Sequence, residues 1–159
     1  MLEMIVAIFI LAVAIIGCYY AFVQISSATA LISSRLQAAY LAHEAFEIVR
    51  NMRDSNWLSG EEWGEGFLTI CAVGCQLDYK AGTYEADDTS LGYDIDDYLN
   101  LSADGFYTYA IEGTPTKFKR KVTVSSTEDH LFKVSVLIEW YELNAERELF
   151  AEEELYDWY

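Results

Sequence analysis

The chain has 159 residues, of which 26 are Asp or Glu and 10 are Lys or Arg, giving a formal net charge of −16. The excess is regional: residues 61–159 carry 22 acids against 7 bases, whereas residues 1–60 carry 4 against 3. A surface of this sign repels phosphate backbones, which excludes nucleic acid as a partner for most of it, and it describes a solvated outer domain.

Met4 to Ser34 contains no charged side chain, and the one charge just ahead of it is Glu3. A run of about 20 apolar residues, rising roughly 1.5 Å per residue, is enough to cross a bilayer as a helix. The segment is too long for a signal peptide and lacks its basic start. An ordinary single-span anchor is the main rival reading, but an anchor has no need of an acid at the membrane mouth. A carboxylate there is costly unless a positive group meets it, and nothing nearby in the chain supplies one. Within the helix, Cys18 reads as a small packing residue.

The run Met1-Leu2-Glu3-Met4-Ile5-Val6-Ala7-Ile8-Phe9-Ile10-Leu11 resembles the start of a mature type IV pilin or pseudopilin. In that family a glutamate follows the processed N-terminus within a turn or two and precedes an unbroken apolar helix. The resemblance implies that Glu3, with the chain start at Met1, meets the free amine of a neighbouring subunit. It also implies that Ile5, Val6, Ile8, Phe9, Leu11 and Gly17 belong to the helix bundle of a filament core. Glu3 stands two positions earlier than the family pattern places it. The expectation is therefore that two residues, such as Phe-Thr, precede Met1 after removal of a basic leader ending in glycine. Partners implied are identical subunits, a prepilin peptidase, the pilus assembly machinery and, before assembly, the cytoplasmic membrane.

From Leu31 to Asp54 there is no glycine or proline. Ile32, Leu36, Ala39, Ala42, Phe46 and Val49 recur at helical spacing, and Arg35, Gln37, Glu44, Glu47 and Arg50 fall largely off that stripe. The expected organisation is a membrane or filament-core helix over 1–34, its amphipathic continuation over 35–56, and an acidic β-rich domain over 57–159. Phe46 is expected to be the largest contact of the amphipathic half on the sheet. Gly17 is the intrinsic weak point of the helix, at about 1 kcal/mol relative to Ala.

Asn51 to Gly60 reads as the helix end and a turn. Between Glu61 and Gly105 the chain is rich in Gly, Asp and Tyr, with short strands expected at Thr69–Ala72, Gln76–Tyr79 and Thr83–Glu85. Cys71 and Cys75 flank Ala-Val-Gly, and a short-loop disulfide is the preferred reading for a domain held outside the cytoplasm. Two thiolates and two distant histidines do not make a zinc site. The cluster Asp87, Asp88, Asp94, Asp96 and Asp97 offers oxygen ligands of the kind Ca²⁺ takes, and some pseudopilins resemble it in holding calcium in a loop. It lacks EF-hand spacing and reads as a solvated acidic loop, so no cofactor is assigned; Asp94, Asp96 and Asp97 are the candidates for a cation. Asn100-Leu-Ser102 fits a glycosylation sequon.

The last third alternates. Strands are expected at Phe106–Glu112, Phe118–Ser125, Leu131–Leu143 and Glu148–Leu155, with Phe132, Val134, Val136, Ile138 and Trp140 on one face. The fold class is α+β, a long N-terminal helix packed on a C-terminal antiparallel sheet, which is also the pilin architecture. No phosphate loop, nucleophile elbow or metal-protease motif is present, and His43 and His130 read as structural or solvated, so no enzyme activity is expected. The functional expectation is a pilin that polymerises into an extracellular type IV pilus-like filament. The alternatives are a pseudopilin of a type II secretion system and a membrane-anchored extracytoplasmic binding domain.

Overall fold

The structure, a computed structural model, describes residues 2–80, 91–92, 94, 97–111, 113–128 and 130–156. Among the described residues one long helix, α1 (Leu2–Ser59), is followed by a helical turn α2 (Phe67–Ile70) and eight strands. The chain divides into two compact units, Met1–Gln37 and Ala38–Tyr159. The first is helix alone, the N-terminal part of α1. The second holds the remainder of α1 and all the strands, and is an α+β arrangement in which the helix packs on an antiparallel sheet.

In the second unit, β6 (Phe118–Glu128), β7 (Leu131–Glu142) and β8 (Ala145–Tyr156) form a three-stranded antiparallel meander, with Val122, Val136 and Ala151 on one rung. Their alternation follows the pleat: Phe132, Val134, Val136, Ile138 and Trp140 are all buried, and the intervening residues of β7 are not. The turn between β7 and β8 is made by Leu143 and Asn144, both at positive φ (52° and 60°), the backbone hand that a two-residue hairpin requires. On the other side of β6, β1 (Cys75–Gln76) pairs through Cys75 and Val122, and β2 (Leu91–Gly92) pairs with β1. A second small sheet has β3 (Asn100–Leu101) between β4 (Tyr107–Thr108) and β5 (Thr114–Pro115).

The helix presents Ala38, Leu41, Ala42, Ala45, Ile48 and Val49 to the core. This corrects the expected stripe. Ala42 and Val49 belong to it, but Ile32, Leu36 and Ala39 are exposed and Phe46 is half-buried at its margin. Apolar residues occur on two overlapping faces here. The face with three alanines is the one that faces the sheet, because small side chains let the helix axis approach closely.

The helix also runs past its expected end, to Ser59. Gly60 (φ 75°) donates to Trp57 O at 3.1 Å and Glu61 N donates to Asn56 O at 3.0 Å, the paired closure of a left-handed helix cap. Thr69–Ala72 is not a strand: Cys71 N donates to Phe67 O at 2.9 Å, closing a helical turn that buries Phe67 edge-on against Phe132. Of Gln76–Tyr79 and Phe106–Glu112, only short pieces pair as strands, in β1 and β4. Thr83–Glu85 lies outside the described residues.

Candidate functional site

Leu2 to Ser34 is helical throughout, and α1 is long and apolar enough to cross a membrane. Its large side chains are turned outward on every side. Ile5 (67%), Ile8 (65%), Phe9 (68%) and Leu11 (62%) are mostly exposed, and so are Val6, Ile10, Ile15, Ile16, Tyr19, Tyr20 and Phe22. A helix apolar all round is not the amphipathic helix of a soluble surface; it is one whose whole circumference is meant to be covered. No other element belongs to its unit to cover it. A Cβ added at Gly17 meets nothing within 4 Å, and Cys18 is a free, exposed thiol rather than a packed one within this chain.

Three hydroxyls of this segment are satisfied locally. Ser27, Thr29 and Ser34 each donate a hydroxyl to the carbonyl four residues back, at 3.0, 2.9 and 3.1 Å. Those bonds remove three donors that hydrocarbon would otherwise leave unpaired. Glu3 lies in the first turn of α1 and is exposed, with no ion pair among the described residues. Met1 lies outside the described residues. The geometry is therefore a single carboxylate at the head of an uncharged, uncovered helix. It offers a surface for lipid or for other helices.

The second unit holds the remaining candidates. Cys71 and Cys75 are joined in a disulfide and both are fully buried. Val124 N donates to Cys71 O at 3.0 Å and Cys75 pairs with Val122, so the bridged loop is fastened to β6 at two points. Asp94 and Asp97 are exposed, with Asp97 N donating to Asp94 O at 3.3 Å. Asp87, Asp88 and Asp96 lie outside the described residues, among which no group of three His, Cys, Asp or Glu is placed to hold a metal. His43 is exposed 4.0 Å from Glu47, and His130 sits in the β6–β7 turn.

One residue that the sequence reading passed over is central. Arg120 is fully buried under α1. Its guanidinium donates to Leu41 O at 3.2 Å, to Leu77 O, and to Glu44 Oε2 at 3.3 Å, tying helix, loop and sheet together. The signal lay in the period of β6, since Arg120 shares its face with Phe118, Val122 and Val124, all buried. Beside it, Tyr109 donates its hydroxyl to Arg120 O at 3.0 Å, and burial pushes this phenol up to about 12, against a lowering by the Arg120 charge. Farther along the helix Arg50 pairs with Glu47 and Glu153, and the hydrogen bond it donates to the Glu153 carboxylate raises its pKa.

No protein-family model, curated protein or solved structure matches this chain.

Proposed function

We propose that the chain is a pilin: a structural subunit that polymerises through its N-terminal helix into an extracellular type IV pilus-like filament. The observation that carries this reading is the combination at the head of α1, a lone carboxylate at Glu3 followed by an uncharged run from Met4 to Ser34 whose side chains are exposed from Met4 to Ser26. Before assembly, the helix lies in the membrane. On assembly, identical helices replace lipid around Ile5, Val6, Ile8, Phe9 and Leu11.

Lipid tails are as apolar as these side chains, so the transfer gains little from the hydrophobic effect. Helix-to-helix packing and the neutralisation of Glu3 then decide whether assembly is favourable. A carboxylate moved into a low-dielectric bundle requires a cation close by, and the free amine of the adjacent subunit is the group the filament can supply. A plain membrane anchor accounts for the apolar helix but gives Glu3 nothing to do.

The test is Glu3→Ala. The variant should remain membrane-inserted and folded while surface filaments, imaged and identified by mass spectrometry of the subunit, fall sharply in number. Filaments at normal yield from Glu3→Ala would remove the pairing, and absence of filaments from the unaltered chain would remove the filament reading.

A further inference from the structure

The β7–β8 hairpin turns on a residue that its backbone does not favour. Leu143 and Asn144 both have positive φ, at 52° and 60°. Asn and Gly take that conformation readily, whereas a leucine takes it at a cost. Here the leucine side chain is also 58% exposed. Nothing in the turn itself calls for an apolar side chain at this position. Two residues earlier Tyr141 is exposed, and with Tyr98, also exposed, it lines a groove of about 520 Å³.

The rungs of the sheet place this tip within its unit. Phe132 meets Trp63 and Phe67, past the end of α1. Glu153, on the rung of Val134, meets Arg50. Arg120, on the rung of Ile138, donates to Leu41 O. Each step along β7 towards the tip is thus a step back along α1. The pair Glu142–Ala145 closes the hairpin roughly 13 Å past Ile138. The tip therefore stands at the end of the unit where α1 enters, at Ala38. Ala38 is four residues beyond Ser34, the last of the uncharged run. That run is roughly 46 Å of helix, about the depth of a bilayer with its headgroups.

Charge does not oppose a lipid surface at this end. Residues 61–159 carry 22 acids against 7 bases. The groove, in contrast, is lined by three basic residues, Lys117, Lys119 and Arg147, and by three glutamates. Beside the turn, Glu142 is paired with Lys117 at 2.7 Å. We infer that the β7–β8 hairpin is a second membrane contact, with Leu143 in the interfacial zone of the bilayer. Tyr141 and Tyr98 lie at the headgroup level, where a ring meets apolar chains and its hydroxyl meets water. Because α1 already holds the chain at the bilayer, the contact needs little affinity of its own. The inference rests on the reading of α1 as a membrane helix before assembly, and it assigns the end of the sheet unit that faces lipid.

The experiment uses the full chain in phosphatidylcholine vesicles, with Cys18→Ser so that one added thiol carries an environment-sensitive fluorophore. The label is placed in turn at Ile15→Cys in the apolar helix, at Glu146→Cys opposite Tyr141, and at Glu62→Cys, exposed in the loop past the other end of α1. Spin-labelled lipid should quench the label at position 15 and that at 146, and leave that at 62 bright. Iodide in the buffer should reach position 62 several-fold better than 146. Leu143→Asn gives the second readout. It suits the turn, so it should raise the thermal unfolding midpoint by about 4 °C, while the label at 146 loses its lipid quenching. A fall in the midpoint would make Leu143 a packing residue and overturn the inference. Equal access of iodide to 146 and 62, with position 15 quenched by lipid, would overturn it and leave the membrane reading standing. A label at 15 that lipid does not quench would overturn both. Position 146 shielded from iodide yet not reached by spin-labelled lipid would give the tip to a second copy and overturn the lipid contact.

Discussion

Tyr109 and Arg120 show how a single side chain can carry a layer contact. The half-buried Tyr109 phenol is a donor to Arg120 O only while protonated, and desolvation holds it so, up to about 12. Its folded pKa lies above the unfolded value of about 10, so its contribution is fully present below pH ~10 and is lost as pH rises towards ~12. The loss amounts to at most about 2–3 kcal/mol. Unfolding free energy measured across that window should fall, and Tyr109→Phe should flatten the fall; an equal slope in both proteins would assign it to other groups. Arg120 acts through its donors. Arg120→Ala strands the carbonyls of Leu41 and Leu77 and leaves Glu44 without its cation, and should lower stability by about 3–5 kcal/mol, read from denaturant unfolding followed by tryptophan fluorescence. Arg120→Met keeps the volume and should cost less.

At the scale of elements, the phase of α1 decides which substitutions matter. Leu41 is 1% exposed on the face that meets the sheet, whereas Phe46 sits at its margin. Leu41→Ala should therefore cost about 2–5 kcal/mol, and Phe46→Ala less despite its larger side chain, in the same unfolding measurement. The reverse order would mean that the helix presents its other stripe. The sequence left this phase open because apolar residues populate both stripes, and only the alanines at 38, 42 and 45 select one through the depth of approach they allow. The strands β6 to β8 were legible because each sustains a two-residue period over 11 or 12 residues. The two-residue strands were not, since they exist only through their partners: Cys75 is strand because Val122 and Gly92 flank it. Of the candidate sites, the apolar helix was readable from composition alone. Arg120 was not read as special, because a charge in an alternating strand reads as solvent-facing until the register assigns its face.

For the molecule as a whole, a chain of net charge −16 with an uncharged apolar helix at one end must divide its surface between water and something else. Ile10 and Ile15 are five residues apart, about 140° around the helix, and both are exposed. No one-sided cover reaches both, but lipid or a surrounding bundle does. Ile10→Arg with Ile15→Arg places two guanidinium groups in that cover, each costing about 2.5–3.5 kcal/mol at the centre of a membrane helix. The doubly substituted chain should leave the membrane fraction in flotation and, on the proposed filament reading, form no filaments, with the disulfide-linked sheet unit still folded. Gly17→Ala is the matched control: the added methyl meets nothing within the chain and favours the helix by about 1 kcal/mol, so membrane association should be unchanged. If the two arginines left membrane association intact, the helix would have to lie with both positions out of the hydrocarbon. The exposed apolar side chains from Met4 to Ser26 would then need a protein partner rather than a bilayer.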